Sequence, residues 1–166
     1  MYRSPGPEAA IEIILRYRDV RSYMPKPFTE TERQQFLADK HIAVLSVAAT
    51  DGRPPAAVPI WYDYTPGGNI RISTGAKSRK VRLMRAAGVV TLTVQREELP
   101  YQYVIVEGTV VDDVTPAPHE AREEIAVRYL GAEGGRAFAD NMDGNGSALL
   151  TIRPDRWISI DYSGDL

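Results

Sequence analysis

The stretch AVPIWYDYTPGGNIRISTGAKSRKVRLMR, Ala57 to Arg85, reads as strand, turn, strand and basic helix. Alternation from Val58 to Tyr64 predicts the first strand. Thr65 to Asn69 is a loop, because Pro66 presets φ and Gly67, Gly68 and Asn69 accept positive φ. Ile70 to Thr74 is the second strand, with Ile70 and Ile72 two apart on one face. Ser73 and Thr74 end it with hydroxyls, Gly75 lets the backbone turn, and a helix begins. Lys77, Arg79, Lys80, Arg82 and Arg85 crowd five cations into a short run of a chain whose net charge is −2. Hydroxyls, free N–H groups at a helix start and clustered Lys and Arg are what a phosphate requires. A solvated helix face with Ser78 as a plain N-cap explains the same spacing, and spacing alone does not choose between the two.

Upstream, Ile42 to Ala48 alternates as a strand, and Thr50-Asp51-Gly52 is a tight turn that returns it to the Ala57 strand as a hairpin. Thr29-Glu30-Thr31-Glu32 is a capping box, opening a helix with Phe36 and Leu37 on its apolar side that ends near Lys40. Residues 1–28 form an arm, with a loop at Ser4–Pro7 and a helix from Glu8 to about Arg18. Its R-x-x-R-x-Y run, Arg18 to Tyr23, is faintly similar to the opening of nitroreductases, but the residues after Tyr23 do not match that family.

Downstream, Val89 to Val94 is a strand and Tyr101 to Val111 the longest one. Val104, Val106 and Val110 share one of its faces; Tyr101, Tyr103, Ile105, Thr109 and Val111 share the other. Apolar residues on both faces mean burial on both sides or a dimer interface. Gly108 interrupts the strand and predicts a bulge or sharp bend. Pro116-Ala117-Pro118 opens a helix to about Leu130, Gly131 caps it, and a short helix covers Gly135 to Asp140. Ala148–Ile152 and Trp157–Tyr162 are two strands hinged at Arg153-Pro154-Asp155. The fold class expected is mainly β, an antiparallel β-barrel with appended helices. The arm is 1–28 and the barrel domain 29–166.

At 166 residues the chain suits one domain, and 43% hydrophobic with 25% charged residues is an ordinary globular balance. The small net charge gives no field for nucleic acid, and no apolar run is long enough to span a membrane. With no cysteine, thiolate chemistry, disulfides and Cys–zinc sites are excluded. The N-terminus lacks the apolar core of a signal peptide, so a soluble, cytoplasmic protein is expected. His41 and His119 have no partner at metal-ligand spacing, and Asn141–Gly146 opens like a calcium loop whose bidentate Glu is replaced by Ile152; no metal is expected.

Three segments, in this order, resemble the flavin-binding split-barrel superfamily, the pyridoxamine 5′-phosphate oxidase-like proteins. LSVAATDGRPPAAVPIWYDY, from Leu45, is similar to that family's opening hairpin; IRISTGAKSRKVRLM, from Ile70, to its phosphate-binding strand and helix; and YQYVIVEGTV, from Tyr101, to its "v.veGta" strand. The Ser78-Arg79-Lys80 triplet is the sharpest match. The resemblance implies a split β-barrel that is homodimeric, with flavins in two grooves between subunits. It implies that Arg79 and Lys80 hold the cofactor phosphate, with Lys77 and Ser78 beside them and hydroxyls from Ser73 and Thr74. Val58, Pro59, Ile60 and Trp61 would flank the ring, Tyr101 would cover a partner's cofactor, and Trp157 would add to the groove.

The C-terminal DRWISIDYSGDL lacks the Arg- and His-bearing substrate motif of true pyridoxamine phosphate oxidases. Tyr-x-Tyr-Val-x-Val-Glu-Gly and a terminal Pro-Asp-Arg-Trp look more like the actinobacterial branch that uses the deazaflavin coenzyme F420, whose acidic tail suits a helix of five cations. The resemblance thus implies an F420-dependent oxidoreductase passing hydride to a planar conjugated small molecule. The alternatives are an FMN-dependent enzyme of the same fold or a non-catalytic flavin- or haem-binding protein. No catalytic acid is evident; solvent, Tyr62 or Tyr64 could protonate the product.

Overall fold

A computed structural model describes residues 25–142 and 144–163. Six strands form one antiparallel sheet in the order β2-β1-β4-β5-β6-β3. They are β1 (Ala43–Val47), β2 (Ala56–Ile60), β3 (Ile70–Gly75), β4 (Val89–Arg96), β5 (Gln102–Val114) and β6 (Ser147–Asp161). Three helices accompany them among the described residues: α1 (Glu30–Ala38), α2 (Arg79–Ala87) and α3 (His119–Asn141). The sheet curls into a half-barrel around one apolar core. Leu45, Leu92 and Val106 pair in register across β1, β4 and β5 and lie buried inside it. On the opposite face, Val44, Thr93, Ile105 and Ile158 form a continuous row across four strands.

The local signals explain the helices. Thr29 accepts from the Glu32 backbone while the Glu32 carboxylate accepts from Thr29, the reciprocal capping box expected. Phe36 and Leu37 then face the core. Ser78 caps α2 by accepting from Val81 N–H, and Gly88, at φ 69°, closes it. Gly131 breaks α3 with φ 77° and ψ 172°, so two helical halves fold back on one another. An added Cβ at Gly135 would fall 2.4 Å from the Val127 backbone, which is why the second half can pack so closely on the first.

Gly108 sits at a register shift between β5 and β6, as its interruption of the strand predicts, and its Cβ position is filled by Ile152 and the Arg153 carbonyl. Three expectations need correction. The hinge at Arg153-Pro154-Asp155 is a bulge within one continuous strand: Glu107 faces Arg156 and Gly108 faces Pro154, so Asp155 is the extra residue and Pro154 lies where a missing N–H is tolerated. The strand expected to run to Tyr64 ends at Ile60, which pairs with the first residue of β1; beyond it Tyr62 and Tyr64 keep the buried alternation, but Asp63 bridges Arg71 of β3 instead. The hairpin of β1 and β2 forms, but Val47 pairs with Ala56, so residues 48–55 make a broad loop rather than a tight turn.

The arm expected over residues 1–28 lies mostly outside the described residues. Its last residues are packed on the sheet: Lys26 pairs with Asp161, and Phe28 is buried with its N–H donated to Ser159 Oγ. No described helix is long and apolar enough to cross a membrane.

Candidate functional site

β2 and β3 are consecutive in sequence yet form the two edges of the sheet. The curl brings the end of β2 near β3, and α3 lies over the seam. Between them is a cavity of about 340 Å³. One wall is Pro59, Ile60 and Trp61; a second is Ser73, Thr74 and Gly75; Lys80 comes from the first turn of α2. A neighbouring hollow of about 370 Å³ is lined by Val58, Ser78, Arg79 and again Lys80, which joins the two.

The sheet thus brings nine of the twelve expected site residues to these adjoining hollows. The other three lie elsewhere. Lys77 is exposed in the turn before α2. Tyr101 stands near the Tyr103 and Tyr162 rings, its hydroxyl donating to Gln95 at 3.3 Å. Trp157 packs inside the half-barrel, edge-on to Tyr64 and under the Arg33 guanidinium.

Charge is distributed unevenly over the basic helix. Arg79 forks onto Asp51, with both bonds 2.9 Å, and donates to the Pro54 carbonyl, so it fastens the loop between β1 and β2. That guanidinium holds the Asp51 carboxyl far below the usual carboxylate range. Arg82 reaches the same Asp51 at 3.7 Å, and Arg85 forks onto Asp113 at 2.6 and 3.0 Å. Two carboxylates therefore pair with three of the five cations, Asp51 being shared by Arg79 and Arg82. Lys80 has no acidic partner among the described residues, and no described carboxylate lines its cavity.

The far wall is apolar and aromatic. Trp61 stacks on Tyr129 with centroids 4.7 Å apart and planes 9° apart, and Phe138 tilts against it at 5.5 Å. Tyr129 is fixed from behind: its hydroxyl donates to the His41 carbonyl at 2.8 Å and accepts from Tyr62 N–H at 3.1 Å. α3 also contributes Arg122, Ile125 and Ala126, none of them foreseen. The signal was available, since Arg122 falls on the same helical face as Ile125 and Ala126, and a cation on an apolar stripe needs a reason. The proposed proton donors do not reach the site. Tyr62 is fully buried with its hydroxyl donating to Leu37 O at 2.8 Å, and burial pushes its pKa far up. Tyr64 donates to Gln34 and accepts from Gly67 N–H. Among the described residues no cluster of His, Asp and Glu could hold a metal.

The cavity therefore offers two hydroxyls and an ammonium that no described carboxylate pairs with, together with an aromatic, apolar wall. That donor set fits a planar ring carrying a phosphate.

No family model and no curated protein matches the sequence. Among solved structures, the chain is similar to a conserved hypothetical protein from Mycobacterium tuberculosis, with 23% identity, a TM-score of 0.67, and 81% of this chain and 86% of that one covered. It is similar to an F420 reductase at 22% identity and TM-score 0.57, covering 75% and 94%. A FAD-binding protein from Mesorhizobium loti aligns at 17% identity and TM-score 0.63, covering 83% and 98%.

Proposed function

We propose that this chain, which has the split-barrel fold of the pyridoxamine 5′-phosphate oxidase-like proteins, is an oxidoreductase that binds a flavin-type cofactor, F420 in preference to FMN. The observation that carries the reading is Lys80, a cation without an acidic partner among the described residues, set beside Ser73 and Thr74 in a cavity walled by Pro59, Ile60 and Trp61. Its ammonium and the two hydroxyls would hold the phosphate. Arg79 and Ser78 shape the adjoining hollow, Arg79 by fastening the Asp51 loop. The backbone from Val58 to Trp61 would flank the ring. The stack of Trp61 on Tyr129 keeps that wall rigid and excludes water from one side of it.

The cofactor supplies hydride chemistry, and the protein supplies binding, orientation and a low-dielectric wall. With both nearby tyrosine hydroxyls committed elsewhere, any proton would come from solvent. The same commitment favours a second reading, a flavin- or haem-binding protein without turnover.

A partner subunit belongs to the proposal. The outer row of the sheet leaves Val44 38% and Ile158 45% exposed, beside Ile105, and a second copy would cover it. Tyr101 and Lys77 would then act on the assembled groove.

The test is titration of the purified protein with FMN and with F420, followed by absorbance and calorimetry, then reduced-cofactor turnover with planar acceptors. F420 should bind more tightly at low salt, with a gap that narrows as salt screens the tail over about 10 Å at 0.1 M. Binding of neither cofactor would end the reading; equal affinities would remove the preference for the deazaflavin; binding without turnover would leave the carrier.

A further inference from the structure

Arg122 lines the same cavity as Lys80, Ser73 and Thr74, but from α3. Its Nη1 donates to the Ala139 carbonyl at 3.2 Å and the Met142 carbonyl at 3.1 Å. Gly144 packs against it so closely that a Cβ there would lie 2.7 Å from Nη2. The guanidinium is thus fixed in position. Its Nε is buried and has no hydrogen-bond partner, and no acidic group among the described residues pairs with it. Closing the end of α3 accounts for Nη1 alone. It does not account for a half-buried cation without an acidic partner among the described residues, lining the same cavity as Lys80. Two like charges lining one cavity raise its energy until an anion enters. Arg79, the guanidinium that neighbours Lys80 in sequence, is spent on Asp51.

We infer that Arg122 is the second cation of a phosphate site: Lys80 from α2 and Arg122 from α3 hold one phosphate group between them, with the Ser73 and Thr74 hydroxyls completing its shell. Two cations suit an anionic phosphate, and a guanidinium adds directional donors that an ammonium lacks. The inference deepens the flavin reading and rests on it for what the phosphate is attached to.

The experiment compares the parent with Arg122→Gln by calorimetry, using FMN and riboflavin, and F420 beside its phosphate-free chromophore. Arg122→Gln should weaken the phosphate-bearing partner about 10- to 100-fold and leave the phosphate-free one unchanged. Equal loss for both would make Arg122 a purely structural clamp and overturn the inference, as would no loss for either. Should Arg122→Gln not fold, Arg122→Lys keeps the charge and the phosphorus NMR shift of bound FMN is read instead; an unmoved resonance overturns the inference. A thermal melt with inorganic phosphate separates the two proposals. If the parent binds no flavin yet phosphate stabilises it and not Arg122→Gln, the flavin reading fails and the phosphate site stands. If phosphate stabilises neither protein, or both alike, the site fails.

Discussion

Adjacent on α2, Arg79 and Lys80 face different partners. Arg79 is bound to Asp51 across the loop between β1 and β2, whereas Lys80 lines the cavity with no acidic partner among the described residues. Lys80→Ala should therefore weaken FMN and F420 by about 10- to 100-fold without lowering the melting temperature of the free protein, since a charge-assisted hydrogen bond contributes roughly 1.5–3 kcal/mol. Arg79→Ala should act through the loop: its effect on binding should be no larger when combined with Asp51→Ala than alone, in a double-mutant cycle by calorimetry. Parent-like affinity in Lys80→Ala would remove the phosphate assignment. His41 is a separate case. Its ring stacks on Phe36 at 4.5 Å, and burial lowers its pKa below the ordinary 6.5. Between the ordinary and the lowered value the unfolded chain holds more protons, so stability falls as pH drops through that window and levels off below it. Thermal melts from about pH 7.5 to 5.5 should show a decline in the parent that is flatter in His41→Phe; identical slopes would clear His41 of the effect. At this scale the sequence displayed the chemistry but not the pairing. Asp51 and Asp113 lie too far along the chain from Arg79 and Arg85 for spacing to reveal who neutralises whom.

Among the elements, α3 decides how deep the cavity is. Gly131→Ala should cost about 1–3 kcal/mol, because φ 77° with ψ 172° is a region that only glycine occupies freely. Gly135→Ala should cost a similar ~1–3 kcal/mol by overpacking against Val127, and by forcing the two halves of α3 apart it should also weaken cofactor binding. Chemical denaturation of both variants beside a flavin titration checks this; a Gly135→Ala protein as stable as the parent would mean the halves are not locked. Elements were legible where punctuation is local: the capping box at Thr29, the cap at Ser78, the break at Gly131 and the bulge at Gly108. They were misread where long-range pairing decides the outcome. The strand stops at Ile60 because β1 offers no partner beyond Ala43 and Asp63 bridges β3, and β6 runs through Pro154 because a bulge at Asp155 takes up the extra residue.

For the whole molecule, the row Val44, Thr93, Ile105 and Ile158 is the face a second copy would bury. Ile105→Lys together with Ile158→Lys should give a folded monomer by sedimentation, with cofactor affinity reduced because each groove would lose the partner's residues. A parent already monomeric at micromolar concentration would rule the dimer out. The mainly β fold was legible from seven strand segments, the last two of which are one strand, but their order was not, because nothing local says that β3 pairs with β6. That pairing has a consequence for synthesis. Among the described strands β3, with Ile70 opposite Ile152, has no neighbour except β6, and β6 comes after α3 in the chain. As the chain leaves the ribosome, β3 has only its local bridge from Arg71 to Asp63, and lacks a strand partner until nearly all the described residues have emerged. The first half of the nascent chain can form the β1–β2 hairpin and little of the seam. Closure is a late, long-range event that sets a slow folding rate. A chain halted before Ser147 should remain a substrate for chaperones and proteases, and should become resistant to protease only when β6 is supplied.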